Sequence, residues 1–178
     1  SVLRGLGNVT SLRLGGNPIR DISPLARMRR LERLDLSSTA VDDLSTLAEL
    51  ERLERLFLNE TRANDLSPLA ALANLHTLEL RGSRVGRCCL AGLKDVHELR
   101  ELTLDGTRIE DADVADIMHL PLRKLAIANT LVTDAGLVQL QALPLLRVRL
   151  GGPNITLDGL KQLHFFTEIE WVDWRTPK

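Results

Sequence analysis

His76, His97, His119 and His164, with the adjacent pair Cys88 and Cys89, are the side chains of this 178-residue chain best suited to hold a metal or to carry a nucleophilic reaction. Either task needs several such groups converging on one point. The two neighbouring sulfurs make a poor chelate, and the chain has no third cysteine to complete a set. No G-x-x-x-x-G-K-[ST] loop, H-E-x-x-H helix or G-x-S-x-G elbow occurs. The expectation is therefore a chain that is not an enzyme, with no catalytic residue, no metal and no cofactor. Adjacent cysteines also cannot supply the spaced disulfide framework of a small secreted domain, which favours an intracellular, cytoplasmic setting. Three N-x-[ST] sequons begin at Asn8, Asn59 and Asn154, but Thr61 is explained by a repeated pattern described next, and a glycan on Asn59 would sit on the face expected to bind.

What must position any functional side chain is a repeat. Val9, Leu12, Leu14, Asn17 and Ile19 have the spacing L-x-x-L-x-L-x-x-N-x-L, and the same spacing returns 22 residues later as Leu31, Leu34, Leu36, Thr39 and Val41. It continues through Leu53-Leu56-Leu58-Thr61-Ala63 and Leu75-Leu78-Leu80-Ser83-Val85, then at periods of 24, 23 and 23 residues from Leu99, Leu122 and Leu145. Phe166, Ile169 and Trp171 make a degenerate eighth copy. The alternation within L-x-L predicts a short strand with its leucines inward and the intervening residues outward. One unit cannot bury its own leucines, so the units must stack. The histidines fall in four different units at non-equivalent positions, and stacking does not bring them together.

These residues resemble the leucine-rich-repeat family across essentially the whole chain. The resemblance implies an α/β solenoid with a curved parallel sheet on the concave face and short 3₁₀ or α-helical arms on the convex face. The early arms Asp21-Ile22-Ser23-Pro24-Leu25 and Asp65-Leu66-Ser67-Pro68-Leu69 are similar to compact internalin-like repeats, whereas Thr133 to Leu140 suits a true helix, closer to the ribonuclease-inhibitor or F-box type. At the ninth position the family's Asn is kept only at Asn17. Thr39, Thr61, Ser83, Thr107 and Thr130 replace it with a hydroxyl able to make fewer hydrogen bonds, and Pro153 with none. Cys88, 22 residues after Leu66, is expected to be a small buried hydrophobe in the column of Ile22, Leu44 and Leu66.

A single leucine-rich-repeat domain over 1–178 is expected, with about seven full repeats and a degenerate last strand. Leu3 and Leu6 fit the last apolar positions of a preceding unit, so further repeats or domains of a longer parent chain are expected, and Phe165, Phe166, Trp171 and Trp174 suggest a hydrophobic C-terminal cap. The net charge of -1 and pI near 6.4 give no basic field for nucleic acid or anionic lipid. The longest apolar runs are only a few residues, too short for a membrane span.

The expected function is a non-catalytic scaffold that holds another protein on its concave face, where outward strand residues form columns. Arg33, Asp35, Arg55, Phe57, Glu79 and Arg81 make the candidate patch, of the aromatic-plus-arginine type enriched in hot spots. A phenyl ring at an exposed strand position gains nothing from water; a partner pocket would explain Phe57, and so would packing along its own strand neighbours. Arg62, Arg84 and Arg108 form a secondary basic edge just beyond the strands, balanced either by an acidic partner or by solvent with Glu60, Glu110 and Asp111. The family resemblance also permits a substrate-recognition arm of a larger enzyme assembly, such as a ubiquitin ligase or phosphatase complex.

Overall fold

A computed structural model of the chain describes residues 7–161, 163 and 166–172. Leu3, Leu6, His164, Phe165 and Trp174, on which parts of the reading above rest, lie outside the described residues. Eight short strands, β1 (Ser11–Arg13), β2 (Arg33–Asp35), β3 (Arg55–Phe57), β4 (Thr77–Glu79), β5 (Glu101–Thr103), β6 (Lys124–Ala126), β7 (Arg147–Leu150) and β8 (Glu168–Trp171), pair in parallel and in chain order as one open sheet. The register is unshifted throughout. Leu12, Leu34, Leu56, Leu78, Leu102, Leu125, Val148 and Ile169 lie side by side, as the repeat spacing requires.

The inward leucines of the strands meet a second set from the arms, such as Leu44, Leu47, Leu50 and Leu53, in one continuous core. Each fully buried leucine contributes about 1.5–3 kcal/mol, and none could be buried without its neighbouring repeats. At the last strand the inward positions are only partly covered: Ile169 stays 40% and Trp171 41% exposed.

The first three arms are 3₁₀ turns, Ser23–Arg27, Ser45–Glu49 and Ser67–Ala71. Each starts where an aspartate accepts from the backbone N–H two residues on, in the pairs Asp21–Ser23, Asp43–Ser45 and Asp65–Ser67 at 2.8, 2.8 and 2.9 Å. Backbone and side-chain bonds from Ser23 and Ser45, and side-chain and backbone bonds from Ser67, hold these three carboxyls below the ordinary carboxylate range. The later arms contain α1 (Asp111–Val114), α2 (Asp134–Gln139) and α3 (Leu157–Leu160). α2 is a true helix of six residues that tightens into a 3₁₀ turn over Leu140–Ala142. Here the arms are tied to one another: Asp111 accepts from the Thr133 amide and hydroxyl, both at 2.7 Å, and Asp134 accepts from those of Thr156 at 2.9 and 2.6 Å.

Cys88 departs from expectation. It is exposed, with φ at +62°, and its place in the buried column is taken by Leu90. Leu90, Leu93, Val96 and Leu99 keep the same threefold spacing as Leu66, Leu69, Leu72 and Leu75, so the two residues by which this repeat is longer are inserted before Leu90. They form a loop at Gly86–Cys89 rather than lengthening a helix, and the arm that follows, Leu90–Leu93, is still 3₁₀. Cys89, not Cys88, packs partly against the core.

The ninth-position hydroxyls behave as the hydrogen-bond inventory of threonine demands. Thr39, Thr61, Thr107 and Thr130 each donate to the carbonyl three residues back, at 2.6 to 2.9 Å, whereas the Asn17 amide reaches the Leu14 and Gly15 carbonyls. Ser83 is the exception, with a buried hydroxyl that has no partner.

Candidate functional site

Two columns of outward side chains run across the sheet. The strand pairing sets Ser11, Arg33, Arg55, Thr77, Glu101, Lys124, Arg147 and Glu168 in one row and Arg13, Asp35, Phe57, Glu79, Thr103, Ala126, Arg149 and Glu170 in the other. The candidate residues Arg33, Asp35, Arg55, Phe57 and Glu79 therefore share one face of three adjacent strands, with Arg81 just beyond β4.

Phe57 is half-buried. The Arg33 guanidinium carbon lies 4.7 Å from its ring centroid, a cation–π contact between diagonal neighbours. The packing alternative for this phenyl is thus realised in part, and what remains open is the uncovered side of the ring. Arg33 holds its Nε buried and without a hydrogen-bond partner.

The structure sorts the charges of this patch in a way that a count of residues does not reveal. Its acids are engaged locally: Asp35 accepts from the Ser37 amide at 3.0 Å, and Glu79 accepts from the Asn59 side chain at 2.7 Å, whose own oxygen takes the Arg81 amide at 2.8 Å. Its arginines have no such ionic partner, although Arg33 stacks on Phe57. Among the described residues Arg13, Arg33, Arg55 and Arg81 make no ion pair. The first half of the face therefore offers guanidinium groups that still have hydrogen-bond capacity to spend.

The second half is self-neutralised. Lys124 pairs with Glu101 and Arg147 with Glu168, both at 2.6 Å. Arg149 reaches back across β6 to Asp105, two repeats away, a span left open by the small side chains of Ala126 and Ala128. Glu170 lies 3.1 Å from the Arg149 Nε, off the direction of its N–H. Asp105 is buried and also accepts from the Ala128 amide at 2.8 Å. Burial pushes its carboxyl up, against the opposing pull of that amide and of the Arg149 and Arg81 charges. A hollow of about 170 Å³ lies on this half, bordered by Glu101, Lys124, Ala126, Arg147 and Arg149.

Beyond the strands, Arg62, Arg84 and Arg108 occupy equivalent exposed positions in three successive repeats. The acids expected to balance them are committed elsewhere: Glu60 accepts from the Ser38 hydroxyl, Glu110 pairs with Arg87, and Asp111 holds Thr133. The sequon residue Asn59 is likewise occupied at both ends of its amide. Among the described residues no group of three or more His, Cys, Asp or Glu side chains is placed to hold a metal ion, and no helix is long and apolar enough to cross a membrane. The trans-repeat pair of Arg149 and Asp105 was not foreseen from the sequence; the small residues Ala126 and Ala128 at neighbouring outward positions of one repeat were the available sign of it.

A family model described as leucine-rich repeats, in two copies, matches residues 7–49. No curated protein matches the chain. Among solved structures, an internalin (InlF) from Listeria monocytogenes superposes with a TM-score of 0.79 at 26% identity, over 94% of this chain and 49% of that one. Internalin C2 of the same organism superposes with a TM-score of 0.74 at 23% identity, over 94% of this chain and 73% of that one. The chain thus spans about half the length of the first of these neighbours. With eight in-register parallel strands, 3₁₀ and one-turn helical arms and this likeness, the chain folds as a leucine-rich-repeat solenoid similar to those of the internalins.

Proposed function

We propose that the chain is a non-catalytic scaffold that binds a partner protein on its concave face, centred on Phe57 and on Arg33, Arg55 and Arg81, with Asp35 and Glu79 fixing the polar frame. The observation that carries this reading is the charge sorting of β1–β4: carboxylates tied into local hydrogen bonds beside guanidinium groups with no ion pair, around one half-buried aromatic ring. Arginine and aromatic side chains supply most of the energy at protein interfaces, and an interface of ordinary size covers about 800 Å² per partner. The paired second half of the face suits a rim, where charges contribute little to affinity. A substrate-recognition arm of a larger enzyme assembly would use the same face. Exposed Cys88 and half-buried Cys89 are both free thiols, which is consistent with the intracellular, cytoplasmic setting we assign it.

The test is capture of partners from extracts of the source cells by the wild-type chain and by Phe57→Asp and Arg55→Glu variants, quantified by mass spectrometry. Loss of a hot-spot residue costs at least about 2 kcal/mol, roughly thirtyfold in affinity, so both variants lose the partner. Charge reversal of the convex pair Arg29 and Glu49 leaves it in place. Retention of the same partner by a folded Phe57→Asp protein refutes the assignment.

A further inference from the structure

We infer that the edge formed by Arg62, Arg84 and Arg108 is a second interaction surface, separate from the concave face, and that its occupant is an acidic protein segment of three to four consecutive carboxylates. The three residues follow the buried ninth-position side chains Thr61, Ser83 and Thr107, so each leaves the core at the same point of its repeat. Their backbone is fixed: the Arg62 amide donates to the Val41 carbonyl and the Arg108 amide to that of Val85, both at 3.0 Å. Gly86 lies beside the Arg108 stem, where a Cβ would meet the Arg108 Cβ at 3.4 Å, an ordinary van der Waals contact.

A rigid frame thus holds three guanidinium groups on rows about 4.8 Å apart, a distance at which like charges repel and the free protein loses stability. At five other positions such cost is removed by a partner. Arg20, Arg29, Arg87, Lys124 and Arg147 each pair with a carboxylate on a neighbouring repeat. The edge row has no such pair among the described residues, because Glu60, Glu110 and Asp111 face other groups.

The extent of the row sets the size of the occupant. The preceding column member is Ala40 and the following one is Leu131, which is 47% exposed, so the basic stretch ends after three repeats. Three rows span about 10 Å, the reach of three to four residues of extended chain. Leu131 then offers an apolar contact to an aliphatic residue flanking the acidic run. Single-stranded nucleic acid is disfavoured because this edge column, Pro18, Ala40, Arg62, Arg84, Arg108 and Leu131, has no aromatic side chain on which a base could stack.

The experiment titrates the protein, at low salt, into a fluorescein-labelled peptide with four consecutive glutamates followed by leucine in a Gly/Ser background, read by anisotropy. The wild type binds weakly, with affinity falling as salt is raised, and Arg62→Gln/Arg84→Gln/Arg108→Gln binds about tenfold more weakly with a melting temperature no lower than that of the wild type, since the repulsion within the row is removed. Arg13→Gln/Arg55→Gln on the concave face leaves peptide affinity unchanged, which separates this surface from the one proposed above. Absence of wild-type binding, equal affinity of the triple variant, or equally tight arginine-dependent binding of an oligothymidylate of the same charge would overturn the inference.

Discussion

Gly92 sits where two neighbouring arms of the solenoid approach closely. A Cβ at this position would stand 2.7 Å from both the Leu66 carbonyl carbon and the Ser67 amide nitrogen, atoms of the backbone of the preceding arm. Non-bonded carbons rest at about 3.5–4.0 Å, so Gly92→Ala forces the two arms apart by roughly 0.8 Å. The residue lies in the 3₁₀ turn Leu90–Leu93 without a positive φ, so alanine fits the local backbone and even restricts the unfolded chain, a gain of about 0.4–1 kcal/mol. Against it stands the strain of an overpacked interior, about 1–3 kcal/mol, at the upper end here because backbone rather than a flexible side chain must give way. Leu66, Leu69, Leu90 and Leu93, all buried, would lose contact across the widened seam. The net expectation is a loss of about 2–2.5 kcal/mol. Urea unfolding followed by circular dichroism measures it: the midpoint falls, and because a solenoid is held together by nearest-neighbour interfaces, the transition broadens as repeats on the two sides of the seam begin to unfold separately. Gly7→Ala, with nothing within 4 Å of the added methyl, serves as the comparison and stays within about 0.5 kcal/mol. A Gly92→Ala protein as stable as wild type would show that the arms are not in close contact and would refute the packing argument.

Three further perturbations test other parts of the frame. Ser83→Thr should stabilise the protein by about 0.5–1.5 kcal/mol, read as a raised unfolding midpoint, since it restores the hydroxyl-to-carbonyl bond of its column and adds a buried methyl; an unchanged or lower midpoint contradicts the reading of Ser83 as an unfilled position. Asp105→Ala should cost about 2–4 kcal/mol in the same assay by orphaning the Ala128 amide and leaving Arg149 mostly buried without its carboxylate, with Asp105→Asn losing less because it still accepts from that amide; equal losses for the two substitutions would show that the amide bond is immaterial. The pH dependence follows from two opposing sets of carboxyls. Asp21, Asp43 and Asp65 titrate below their unfolded value near 4, so their stabilisation is complete above it and is lost as pH falls through the folded values, whereas Asp105 titrates higher when folded, so its contribution is present below about pH 4 and is lost as pH rises. Asp105→Asn should therefore steepen the acid limb of the stability curve, and replacement of the other three by asparagine should flatten it; the opposite changes in slope would reverse the assignment.

What the sequence made legible follows from the one-dimensional nature of the fold. In an in-register parallel stack, the lateral neighbour of a residue is the residue one period away, so counting 22 from Asp35 to Phe57 already gives the contact that the sheet shows. The same counting misplaced Cys88. The period lengthens to 24 inside the fourth repeat, and a count carried forward from Leu66 lands on the wrong side of the insertion, while a count carried back from Leu99 lands on Leu90. The error is confined to one loop because the next strand restores the register, Leu78 beside Leu102.

The electrostatic character of the concave face was not legible in the same way, and the reason is physical. Residue type and spacing place Asp35, Glu79, Arg33 and Arg55 on one surface and make it look balanced. Whether a carboxylate is free to meet an arginine depends on which backbone amides and side-chain donors come within about 3 Å of it, and those belong to the turns that follow the strands. The Ser37 amide donates to Asp35 and the Asn59 side chain to Glu79, so these acids are engaged by local donors and form no ion pair with the arginines beside them. In the later repeats small residues at Ala126 and Ala128 open the face, and Arg149 closes on Asp105 instead. A face of nearly even composition is thereby divided into a half whose arginines make no ion pair and a half whose charges pair with one another, an asymmetry of potential that residue counts conceal.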